Sequence, residues 1–425
     1  MRATRVIRDG GIDVRRAKIA ALVLVACLLG AAAAASAAPA TLRVLLPIGG
    51  GYTEEDQQAL ATEFMRQRPD VRVDMEFVGW DALWDRIITS IAAGNAPDVI
   101  YIGSRWIPAL ADMGAIIPLD EYITQEKYDL YYPTVWDTVR YDGKIWGIVR
   151  AMSTKALLYN RSLFQQYGVQ APTNWDEVLE AARKLHHPPN LYGFGLPGNR
   201  FVSTVTEFQN WLYANNGRIT DEQGRATIDR PEAVEALDFY INGLGQYAQP
   251  SPVEWRREDL IRLFKSQTIG MYTDHVFSAI EAINSGIDVG ISMIPKGPRG
   301  VQPYATVLVT DSIAIPTQAR NRELAVEFAL FMTSFDNQSK WDELLGFVPP
   351  MPQEASLPTF QQWYWQPFLE GIRYGVPEAV YIKDWEATQE AILTAMQKVL
   401  FKEATPEAAL REAAQIINIL QGFRQ

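Results

Sequence analysis

Gly94 to Tyr122, GNAPDVIYIGSRWIPALADMGAIIPLDEY, is the stretch whose reading decides the fold. Val99-Ile100-Tyr101-Ile102 is a short apolar, β-branched run of the kind that fills a buried strand. It passes through Gly103 into Ser104-Arg105-Trp106, and an amphipathic segment follows that ends at Gly114 and Pro118. A strand that turns directly into a helix belongs to an α/β sheet, and such sheets bind ligands at the carboxyl ends of their strands. Ser104, Arg105 and Trp106 fall on that edge and offer a hydroxyl, a forked cation and a flat apolar face. The set suits a polyhydroxylated molecule and contains no nucleophile–base pair.

The neighbouring segments extend the pattern. Leu42 to Leu46 reads as a strand broken by Pro47 and Gly49-Gly50-Gly51. Thr53 caps a helix whose first turn carries Glu54, Glu55 and Asp56, where acids suit the helix dipole. Val71, Val73, Met75 and Phe77 alternate as a half-buried strand. Trp80, Leu83, Trp84, Ile87, Ile88 and Ile91 follow at helical spacing, which predicts that Trp84 is core. This β-α-β-α-β order predicts an α/β lobe with a mostly parallel sheet. A second α/β region runs from about Ala156 to Ile294, with a helix start at Pro172-Thr173-Asn174-Trp175, where Trp175 packs the first turn. Ala325 to Trp341 and Trp385 to Ile419 read as further helix.

The start of the chain bears on location. Arg15, Arg16 and Lys18 precede the apolar run Ile19 to Leu29, and Ala35-Ser36-Ala37 fits a small-residue cleavage site, the layout of an export signal over residues 1–37. The run is shorter than the roughly 20 apolar residues a membrane span needs. Leu24-Val25-Ala26-Cys27 also matches a lipid-attachment box, so a lipoprotein anchored through Cys27 is the alternative. Taking a leader of net +4 from a chain of −11 leaves −15 on the mature protein. Such an acidic surface argues against nucleic acid and anionic lipid as partners. Cys27 is the only cysteine, so a mature chain has no disulfide and no thiol ligand.

Enzyme motifs are weak. Gly193-Phe194-Gly195-Leu196-Pro197-Gly198 matches G-x-G-x-x-G, but Pro197 spoils the strand–turn–helix setting of a dinucleotide fingerprint. His186-His187 reads as a helix end. There is no H-E-x-x-H and no G-x-S-x-G elbow, so neither a metal nor a cofactor is expected. A two-carboxylate glycosidase is the remaining enzyme class that composition allows.

Six segments, in order, resemble one family. They are Ala93-Gly94-Asn95-Ala96-Pro97-Asp98-Val99, Leu158-Tyr159-Asn160-Arg161-Ser162-Leu163-Phe164, Pro172-Thr173-Asn174-Trp175, Ser266-Gln267-Thr268-Ile269-Gly270-Met271, Ile294-Pro295-Lys296-Gly297 and Ala325-Val326-Glu327-Phe328-Ala329. They look like the extracellular solute-binding proteins of ABC importers, in the branch that contains maltose-binding protein. The departure is Val149-Arg150, where the family usually has a proline. The resemblance implies two α/β lobes, 40–151 with 295–347 and 152–294 with 348–425, joined by a hinge around an interlobe cleft. It implies a monomer that binds a carbohydrate and hands it to the transmembrane permease of an importer.

Carried over residue by residue, the resemblance implies ligand contacts at Tyr52, Trp80, Asp81, Ser104, Arg105, Trp106, Glu207, Asp274, Phe277, Asp311 and Trp385. Phe277 and Trp385 fall on stacking positions. Aromatic rings cover the C–H face of a sugar, and charged groups bond its hydroxyl rim. Arg373, in Ile372-Arg373-Tyr374-Gly375, resembles the ligand arginine of glycerol-phosphate binders. With Arg150 and Arg105 it motivates a phosphorylated ligand as the alternative.

Overall fold

The computed structural model describes residues 39–48, 53–379 and 381–423. The leader, Cys27 and Tyr52 lie outside the described residues. Nine strands are the frame of two sheets: β1 (Ala40–Ile48), β2 (Val71–Gly79), β3 (Val99–Gly103), β4 (Ile148–Ser153), β5 (Ala156–Asn160), β6 (Met271–Asp274), β7 (Val289–Ser292), β8 (Thr306–Ala314) and β9 (Gly375–Pro377). The large sheet runs β9-β8-β3-β1-β2, with β4 also paired to β8. Its β1, β2 and β3 are parallel, as the sequence pattern predicts, whereas β8 lies antiparallel to both β3 and β4. The small sheet, β6-β5-β7, is antiparallel throughout. The fold is two-lobed, with a cleft between the sheets.

Local chemistry accounts for most of the elements. Thr53 caps the helix Glu54–Gln67 by accepting from the Asp56 N–H. Asn174, rather than Thr173, caps Trp175–Leu185, accepting from the Glu177 N–H at 3.0 Å. Pro47 does not end β1. It stays in the strand opposite Val78, beyond the point where β3 stops pairing, so a missing N–H there leaves no neighbour unsatisfied. Two long helical readings are each split. Arg322–Met332 and Phe335–Leu345 part at Thr333-Ser334, and Trp385–Leu400 and Pro406–Leu420 part where Lys402 takes a φ of 60°. Thr405 caps the last helix and Pro406 opens it, a start signal that helical periodicity alone overlooks. In the G-x-G-x-x-G match, a Cβ on Gly193 would stand 1.9 Å from the Ala182 carbonyl oxygen. That glycine serves close packing of a loop on a helix.

The chain passes between the sheets at 153–156 and again between β7 and β8, where Pro295 and Tyr304 form a bridge. Asn210 fastens this region: its side-chain oxygen accepts from the Val307 N–H at 3.0 Å, while the Thr306 hydroxyl accepts from the Lys155 N–H at 2.8 Å. A third passage follows Leu345, where the Val348 N–H donates to the Met152 carbonyl at 2.9 Å. β9 then returns to the edge of the large sheet, although its sequence position falls in the stretch expected for the second lobe.

Arg150, the departure from the family pattern, is fully buried in β4. Its guanidinium donates to the Met332 carbonyl at 2.7 Å and lies 4.3 Å over the Trp341 ring. Gln338 donates back to the Arg150 carbonyl at 2.8 Å and to Asp342 at 2.9 Å. Asp342 and Glu354 are both fully buried in the same cluster. Burial pushes both carboxyls up; beyond burial, Asp342 raises Glu354 further, and Arg150 pulls both partly back. Two carboxylates in one dry pocket do not both ionise, so the pair keeps a proton at neutral pH.

The folded state therefore holds more protons than the unfolded chain above the ordinary carboxyl range. Stability from this pair is complete below about pH 4 and is lost as pH rises through the raised folded-state value. Thermal melts from pH 5 to pH 9 are expected to show falling stability, by at most about 1.4 kcal/mol per pH unit for one proton. Glu354→Gln, which replaces the protonated acid by an amide, is expected to flatten that slope. An unchanged slope in the variant refutes the shared proton.

Candidate ligand-binding cleft

The interlobe cleft has a volume of about 570 Å³. From the large sheet and its helices come Trp80, Arg105 and Asp311; from the other side come Lys155, Phe201, Thr206, Arg257, Glu258, His275 and Phe277. Trp80 opens the helix Trp80–Ala92, so its ring stands at the carboxyl end of β2. It packs edge-on to Tyr101, with ring centroids 5.9 Å apart. Asp311 sits where β8 shifts register between Asp311 and Ser312, a bulge of the kind that re-aims a side chain. Phe277, in the first turn after β6, is half-buried and stacks on His275 at 4.9 Å.

Three consecutive side chains after β3 go to three different places. The Ser104 hydroxyl is 2.7 Å from that of Ser312 on β8. Arg105 lies 3.5 Å from Glu378 and 3.8 Å from Asp311, with its guanidinium 5.6 Å from the Trp80 ring. The Trp106 indole N–H donates to Glu386 at 2.8 Å, on the helix Trp385–Leu400 that packs with the second lobe. Glu378 in turn accepts from Thr206 at 3.4 Å, so it touches both sides of the cleft.

The second lobe places a buried charge network beneath the cleft. Lys155 pairs with Glu207 at 2.7 Å and donates to the His275 ring nitrogen at 2.9 Å. Glu207 also accepts from the Thr273 hydroxyl, and Arg257 pairs with Asp274 and, at 2.7 Å, with Glu258. Burial pushes Lys155 down and Glu207 up, and each partner's charge opposes that shift. Burial, aided by the Lys155 and Arg257 charges, holds His275 well below its usual range, so its ring is neutral and accepts the lysine proton. Removing either member of such a pair leaves a bare buried charge, which costs far more than the pair itself contributes.

Of the residues carried over from the resemblance, Trp80, Arg105, Phe277 and Asp311 line the cleft, and Trp80, Asp81, Arg105 and Trp106 line a smaller space beside it. Ser104, Glu207 and Asp274 lie one layer behind the surface. Two differ from expectation. Arg373 ends the helix Gln366–Tyr374 with its side chain 74% exposed, beside Glu370 and away from the cleft. Trp385 is only 1% exposed and is packed into its lobe. Trp84, assigned to the core by its isoleucine stripe, is half-buried and lines the side space. Lys155, Arg257, His275 and Glu378 were not anticipated. Arg257 carried a signal, because a cation at the first position of a helix opposes the dipole.

A wider crevice of 1050 Å³ opens by Tyr141, Tyr213, Arg218 and Val376. It contains none of the carried-over residues and none of the buried ion pairs, so the cleft is the stronger site.

The family model for bacterial extracellular solute-binding protein matches residues 50–339. The chain belongs to that family. This solute-binding protein is 30% identical over 374 residues to a binding protein of Brucella abortus (strain 2308), covering 86% of this chain and 88% of that one. It is 25% identical over 384 residues to a maltotriose-binding protein of Pyrococcus abyssi, covering 86% and 79%. Among solved structures it is similar to an ABC transporter solute-binding protein of Thermotoga lettingae bound with alpha-D-tagatose, at a TM-score of 0.80 and 27% identity over 90% of this chain and 100% of that one.

Trp385→Ala is expected to cost about 3–5 kcal/mol of stability, the usual penalty for truncating a buried aromatic. Trp84→Ala, with part of its ring already in water, is expected to cost less. Denaturant unfolding of both variants measures the order, and equal losses contradict the burial contrast.

Proposed function

We propose that this solute-binding protein captures a neutral carbohydrate in the cleft and delivers it to the membrane subunits of an ABC importer. One observation carries this reading: half-buried aromatic rings line a cleft in which every buried cation already faces a carboxylate. Phe277 and Trp80 offer apolar faces for the C–H side of a sugar ring. Arg105 faces Glu378 and Asp311, Arg257 faces Asp274 and Glu258, and Lys155 faces Glu207; of these, the three cations with Glu258, Asp311 and Glu378 line the cleft and offer hydroxyl groups charged donors and acceptors. The sugar-binding relatives support it.

The phosphorylated-ligand alternative loses its motive. Arg373 points to solvent, Arg150 is buried against Trp341, and Arg105 brings two acids with it. A phosphate entering this cleft meets at least as much negative as positive charge.

The reading takes the lobes as 40–151 with 295–347 and 152–294 with 348–425, hinged at the three passages, with ligand favouring the closed form. It takes the protein as an exported monomer that binds without turnover, released from its leader or anchored through Cys27. The mass of the mature chain separates those two, and the absence of new reducing ends after incubation with glycosides tests the lack of turnover.

Thermal melts with neutral mono- and oligosaccharides and with glycerol phosphates test the ligand class. A bound sugar at one hundred times its dissociation constant is expected to add about 2.7 kcal/mol of stability. Phe277→Ala is expected to weaken that sugar about tenfold or more. Stabilisation by glycerol phosphate alone overturns the neutral-ligand reading.

A further inference from the structure

The third passage between the lobes, residues 346–351, borders the cleft and also links the two members of a buried acid pair. Leu344, Leu345 and Phe347 line the cleft together with Phe277. Gly346 ends the helix Phe335–Leu345 with a φ of 70°, and a Cβ there would stand 3.1 Å from the Cβ of Phe277, so the passage lies directly against that residue. Asp342 holds the passage by its backbone: its carbonyl accepts from the Gly346 N–H at 2.9 Å and from the Phe347 N–H at 3.1 Å. The Val348 N–H then donates to the Met152 carbonyl at 2.9 Å, and the Pro350 carbonyl accepts from the Tyr132 N–H at 3.1 Å.

The carboxyl of the same Asp342 is paired with Glu354, which lies just beyond the passage on the short helix Pro352–Ala355. Both oxygens of Glu354 and one of Asp342 are buried and accept from no other protein donor. A proton held between the two acids satisfies them, whereas a bare carboxylate without donors is untenable in a dry pocket. The groups that face the pair are few. Arg150 from β4 is committed to the Met332 carbonyl and the Trp341 ring, and Gln338 donates to the other oxygen of Asp342. Tyr131 and Tyr132 face Glu354 from the segment before Pro133, and Glu343 neighbours it from the helix. Lys127 is held by the Thr333 carbonyl and the Tyr131 hydroxyl, and burial, aided by the Arg150 charge, pushes it down to about 7.

We infer that the proton shared by Asp342 and Glu354 is a latch on the third passage: while it is present the passage stays seated against the cleft, and its loss loosens that wall and releases the ligand. Without the proton, two carboxylates face one guanidinium that is already bonded elsewhere, and they part. The passage is tied at both ends and at Val348, so movement of Glu354 reaches the Gly346 and Phe347 N–H groups that hang on Asp342. The buried pair gives up its proton as pH rises, so the seated form belongs to lower pH. A ligand that favours the seated form therefore takes up a proton as it binds, and its affinity falls by at most about tenfold per pH unit. Only this last step rests on the carbohydrate reading.

Hydrogen–deuterium exchange of the unliganded protein between pH 6 and pH 9, corrected for the intrinsic pH dependence of exchange, reads the passage without any sugar. The Gly346, Phe347 and Val348 amides are expected to lose about tenfold or more in protection across that range, while the amides of β5 keep theirs. Glu354→Gln is expected to hold the protection constant with pH, as is Asp342→Asn, whereas Lys127→Gln is expected to keep the wild-type loss. Calorimetry with maltotriose, mannotriose and tagatose over the same range reads the coupling. Whichever of them binds is expected to do so with proton uptake and to weaken by about threefold or more from pH 6 to pH 9 in the wild type, and to bind Glu354→Gln with the same affinity throughout. Wild-type protection that does not change with pH, or a change that disappears in Lys127→Gln and persists in Glu354→Gln, overturns the latch and leaves the carbohydrate reading standing. A loss of protection with no change in sugar affinity overturns the release of ligand. No binding of any of the three sugars counts against the carbohydrate reading, and the exchange result then decides the latch by itself.

Discussion

The buried pairing of Lys155 with Glu207 is the constraint around which the second lobe and the cleft are arranged. Lys155 stands one residue before β5, at the first passage between the sheets, and is almost wholly buried at the floor of the cleft. An isolated ammonium there would give up its proton or unfold the region. Glu207 comes from the middle of a helix in which twelve consecutive residues are buried, so the pair pins that helix to the passage strand. Asn210, one turn further on, then reaches the second passage at Val307. Two of the chain's passages between lobes are thus fixed to a single helix by polar contacts in a dry interior. Such contacts are intolerant of small displacements, so they fix the course of both passages relative to that helix.

The same principle explains what the cleft can recognise. Its cations are already engaged, so they act as oriented donors more than as free charges. A ligand gains hydrogen bonds without having to neutralise the site, and the aromatic rings provide area without charge. Selectivity then follows from shape and from where hydroxyls sit on the ring.

The frame was legible in the sequence because its signals are local. Strand runs, the Thr53 and Asn174 caps, and the turn after β3 each depend on neighbours within a few residues. What was not legible depends on contacts distant in sequence. Helical spacing places Trp84 on the core stripe, and its ring does pack against the core, but at the margin of that stripe, where it also lines the side space. Trp385 follows Lys383 and Asp384, which look polar, but its ring turns away from them into the lobe. Arg373 shares a sequence pattern with ligand arginines and lacks the surroundings, because its helix ends at the surface. Glu207 reads as one acid in a helix, and only the fold reveals the lysine opposite it. The antiparallel insertion of β8 had no local signature, since strand direction is set by the passage between lobes.

The turn at Ser104, Arg105 and Trp106 has a consequence for how such a protein diversifies. Its first side chain touches β8, its second the acid that spans the cleft, and its third the opposite lobe. A substitution there alters sheet packing, cleft charge and the balance between open and closed forms together. Change at these positions is therefore pleiotropic. Phe277 and Trp84 are half-buried and meet their neighbours His275 and Trp106 through ring contacts alone, which other apolar side chains can supply, so evolution toward new ligands has its easiest routes at the rim of the cleft and the hardest at the turn that closes it.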